Sequence, residues 1–130
     1  MNTPVNPYTM MAELIRLLEE QFRRMELSVI SERSDYITTE AAEIETTCPK
    51  TKSVATISLA IPKHSRGAQL RLQTLIYAEK ITGDLRVYGI TKGIRENWTL
   101  QGSPRKAATL TRELDKVVDK LVKGVCSYLL

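Results

Sequence analysis

AQLRLQTLIYAEKITGDLRVYGITKGIRENWTLQ, residues 68–101, is the stretch whose reading decides the fold. Leu70, Leu72, Ile76 and Ala78 alternate with Arg71, Gln73, Leu75 and Tyr77, and Leu85, Val87 and Gly89 alternate with Arg86 and Tyr88. Successive side chains of a strand point to opposite sheet faces, so a period of two predicts half-buried β-structure. Thr82-Gly83-Asp84 between the two runs is turn chemistry and predicts a hairpin. Setting Ala78 opposite Leu85 pairs Tyr77 with Arg86 and Leu75 with Tyr88. One face is then aliphatic, and the other carries Arg71, Gln73, Tyr77, Arg86 and Tyr88. Gly89 and Gly93 bracket Ile90-Thr91-Lys92. There the chain either bulges or turns into a further strand from Ile94 to Gln101, in which Ile94, Trp98 and Leu100 share a face.

Upstream, Ser53 to Ile61 alternates Ala55, Ile57, Leu59 and Ile61 with Thr56, Ser58 and Ala60, and Pro62 closes it. Tyr36 to Cys48 reads as another strand, with Ala42, Ile44, Thr46 and Cys48 on one face and Glu43, Glu45 and Thr47 on the other. Cys48-Pro49 ends it, because the residue before a proline is restricted. Leu27 to Ser31 predicts a short strand, separated from the next by a polar break at Glu32 to Asp35. The loop PKHSRG, residues 62–67, is basic and leads into the hairpin.

Helical periodicity flanks these strands. Asn6-Pro7 is a helix start, and Met11, Leu14, Ile15, Leu18, Phe22 and Met25 recur at three- and four-residue steps to about Glu26. Glu19 and Glu20 stand four residues before Arg23 and Arg24, the spacing of helical ion pairs. Ser103-Pro104 is a second start. Ala107, Leu110, Leu114, Val117, Val118, Leu121, Val125 and Tyr128 follow as one buried stripe, with Asp119 and Lys123 paired four apart. The expected layout of residues 1–130 is one domain: a loose end at 1–6, helix over 7–26, antiparallel strands over 27–101 and helix over 103–128. The fold class is α+β, a four- to five-stranded antiparallel sheet with the N- and C-terminal helices on one face.

Charge is unevenly distributed. Residues 1–48 hold four Lys/Arg against nine Asp/Glu, a net −5, and residues 49–130 hold fifteen against six, a net +9. Such asymmetry suits either an anionic partner for the basic part or attraction within the fold. No apolar run approaches the roughly 20 residues that span a bilayer, and MNTPVNPYTMMAEL lacks a secretory pattern. With only Cys48 and Cys126, both expected as free thiols, the expected compartment is the cytoplasm.

Catalytic chemistry finds little footing. His64 is the one histidine, and with two distant cysteines it makes neither a zinc site nor a Cys–His pair. Glu40, Glu43 and Glu45 would form a carboxylate pair only if a neighbouring strand supplied another acid; otherwise they are a solvated strand face. No phosphate loop, dinucleotide glycine pattern or nucleophile elbow occurs. The chain is therefore read as a non-enzyme without cofactor or metal.

Two features could bind a partner. Arg71, Tyr77, Arg86 and Tyr88 on one predicted face could contact phosphates and stack bases. Ser103, Arg105 and Lys106, at a helix N-terminus with free amides, could hold an anion. Both point to a non-catalytic module for RNA or single-stranded DNA. The alternative is a protein–protein assembly or accessory role, homo- or hetero-oligomeric, on the open sheet face, where Thr56, Ser58 and Ala60 would let another surface approach closely.

Overall fold

The computed structural model describes residues 7–51, 53–63, 69–82, 85–87, 94–101 and 107–129. In chain order they form α1 (Pro7–Arg24), β1 (Ser28–Asp35), β2 (Thr39–Cys48), β3 (Ser53–Pro62), β4 (Gln69–Thr82), β5 (Leu85–Val87), β6 (Ile94–Gln101) and α2 (Ala107–Leu129). All strand pairs are antiparallel, and the sheet runs β1-β2-β3-β4. β5 and β6 both pair with the edge of β4 opposite β3, so they occupy one strand position end to end. The α+β architecture expected from periodicity is present, five strand positions wide.

The helices cover one face of this sheet. Even positions of β2, odd positions of β3 and even positions of β4 share that face, as the register requires. Ile44, Ile57, Leu59, Ile61, Leu72 and Ile76 are buried there against Leu14, Leu18 and Phe22 of α1 and Leu114, Val117 and Leu121 of α2. α1 lies against β1, β2 and β3, and α2 against β3, β4 and β6. The expected helical ion pairs form: Glu19 with Arg23 at 3.3 Å, Glu20 with Arg24 at 2.6 Å and Asp119 with Lys123 at 3.0 Å.

Four details differ from the sequence reading, each for a local reason. α1 stops at Arg24 rather than Glu26. The Glu26 amide donates to the Arg23 carbonyl at 3.0 Å and the Leu27 amide to the Phe22 carbonyl at 3.1 Å, a Schellman turn with Glu26 at φ 60°. Leu27 then buries beside Phe22 in the core cluster, and Met25, counted in the apolar stripe, is 37% exposed.

Glu32 to Asp35 is not a break, because β1 continues through it. Two of its charges are matched across the sheet end: Arg33 pairs with Glu40 and Asp35 with Lys63. The chain turns instead at Ile37-Thr38, where the Tyr36 amide donates to the Thr39 carbonyl at 2.9 Å and the Thr39 amide to the Tyr36 carbonyl at 3.3 Å.

The hairpin register is displaced by four residues. Thr82 stands opposite Leu85, Ile81 opposite Arg86 and Lys80 opposite Val87, leaving a two-residue connection at Gly83-Asp84. Finally, Glu40 does not belong to a solvated face: it is 1% exposed, on the helix-covered side.

Candidate functional site

The register assembles the helix-free face row by row. One row reads Glu32, Glu43, Ser58, Leu75 and Arg95 across β1, β2, β3, β4 and β6. The next toward the β1–β2 turn reads Ser34, Ala41, Ala60, Gln73 and Asn97. On the other side, Ile30, Glu45, Thr56 and Tyr77 share a row. The midline on β3 carries Val54 and Thr56, both buried, and Ser58 and Ala60, both half-buried.

Charge divides along that midline. Glu32 and Glu43 are exposed and directly opposite on β1 and β2, while β4 contributes an exposed Arg71. Like charges facing each other across two strands destabilise the pair. The carboxylate pair left open by the sequence thus exists, but it lies on an open sheet rather than in an enclosed cleft. Ile30 adds a large apolar side chain, 65% exposed, one row away.

The residues expected to bind an anion are placed unevenly. Arg71 lies on the open face, as its alternation requires. Tyr77 is in register with Thr56 on one side. Arg86 stands opposite Ile81, so the expected cross-strand pairing of Arg86 with Tyr77 does not occur. Leu75 has Arg95 across from it rather than Tyr88. Tyr88, Ser103, Arg105 and Lys106, together with His64, lie outside the described residues.

The other face holds a polar cluster that the sequence reading did not find. Arg33 pairs with the buried Glu40 and donates to the Tyr8 carbonyl at 3.4 Å. Lys63 pairs with Asp35, lies 5.1 Å from the centroid of the Tyr8 ring, and its amide donates to the Thr38 carbonyl at 3.0 Å. One signal was available in the sequence: Glu40 shares the even-numbered phase of Ala42, Ile44 and Thr46. These contacts tie the start of α1 to the sheet end, and every charge in them except one Glu40 oxygen has a partner.

Both cysteines are free thiols, Cys48 buried and Cys126 half-buried. Hydrogen bonding to Thr51 holds the Cys48 thiol below its ordinary range, whereas burial pushes the Cys126 thiol up. Cys126 lies 3.9 Å from the Met25 sulfur. Among the described residues no group of three acidic, His or Cys side chains could hold a metal ion. Nor is any described helix long and apolar enough to cross a membrane. Compared with known proteins, the chain matches no family model, no curated protein and no solved structure.

Proposed function

We propose that this chain is a non-catalytic binding domain that meets a protein partner on the helix-free face of its sheet. The supporting observation is the composition of that face. Half-buried Ser58 and Ala60 at its midline are flanked by exposed Glu32 and Glu43 on one side and exposed Arg71 on the other. Small residues at the centre favour close approach of a second surface, and mixed charge at the rim favours a partner of mixed charge.

A second reading, RNA or single-stranded DNA at the basic end, is supported by Arg71 and by the net +9 of residues 49–130. The acidic half of the same face opposes it, because a polyanion crossing β1 and β2 would meet Glu32 and Glu43.

A photo-crosslinking amino acid at Ser58, with Asp115 on the exposed side of α2 as control, separates the two in the native cell. The protein reading expects a discrete protein adduct from position 58 and none from 115. Anisotropy of a fluorescent single-stranded oligonucleotide at two salt concentrations gives the contrary result. Submicromolar, steeply salt-dependent binding lost in Arg71→Ala, with no adduct at 58, would overturn it in favour of nucleic acid.

A further inference from the structure

We draw no further inference here: the strongest candidate, the outer edge of β1, a strand that pairs with β2 alone among the described residues and holds Ile30 65% exposed, carries nothing because nothing in the structure shows what covers it.

Discussion

Thr46 shows how finely individual positions are set on the covered face. Its alternation with Glu45 and Thr47 put it inward, and it is fully buried, yet its hydroxyl has no hydrogen-bond partner among the described residues. An unpaired buried hydroxyl carries its desolvation cost without return, and valine has nearly the same shape. Thr46→Val is therefore expected to raise stability by ~1 kcal/mol in urea titration, with the m-value unchanged. A loss of stability would mean that the hydroxyl is satisfied after all. Glu26 is the converse case. Nothing in its side chain predicts a left-handed conformation, which costs non-glycine residues about 1–2 kcal/mol, and the Schellman turn holds it because Leu27 must reach Phe22.

β4 is the element on which the fold turns. Among the described residues, its 14-residue run is the strand that makes three ladders, to β3 on one side and to β5 and β6 on the other. Leu72 sits fully buried at the crossing of this strand with the core, opposite Trp98 in register, while Arg71 beside it is exposed. Truncation there leaves a cavity in the core beneath α2 that the packed surroundings close only in part. Leu72→Ala should cost ~2–5 kcal/mol by chemical denaturation, against less than ~0.5 kcal/mol for Arg71→Ala. Comparable losses at the two sites would invert the face assignment. The same element explains the register error. Alternation assigns a residue to a face, but sliding a hairpin by an even number of residues leaves every face unchanged. The expected and observed pairings, Ala78 with Leu85 and Thr82 with Leu85, differ by four and are equally good by pattern. Beyond β5 the ladder shifts by three, an odd number, which is why the apolar phase passes from Leu85 and Val87 to Ile94, Trp98 and Leu100. That change of phase was visible in the sequence.

For the molecule as a whole, the layers are joined at one end by Arg33, Glu40, Lys63, Asp35 and Tyr8. Glu40 is the sensitive member, since it is buried while its partner Arg33 remains 41% exposed. Removing the cation leaves a carboxylate in the interior, whereas neutralising the acid as well relieves it. Arg33→Ala is expected to destabilise by about 1–3 kcal/mol, with solvent around the guanidinium moderating the loss. Arg33→Ala/Glu40→Gln should recover at least half of that in thermal melts at neutral pH. Equal losses in the single and double variants would show that the pair contributes nothing.

At this scale the division between sequence and structure becomes clear. The sequence by itself determined the two helices, the core-facing phase of β2, β3 and β4 and the α+β class, because these follow from periods of 3.6 and 2 that each segment carries alone. It also determined that Glu43 and Arg71 lie away from the core. Only the tertiary structure decided that Glu32 faces Glu43, that Arg95 ends the same row, and that Arg33 reaches the buried Glu40. Those are relations between segments. Alternation is indifferent to a slip of two, so which residue meets which is chosen by turn geometry and by packing of the whole sheet under its two helices.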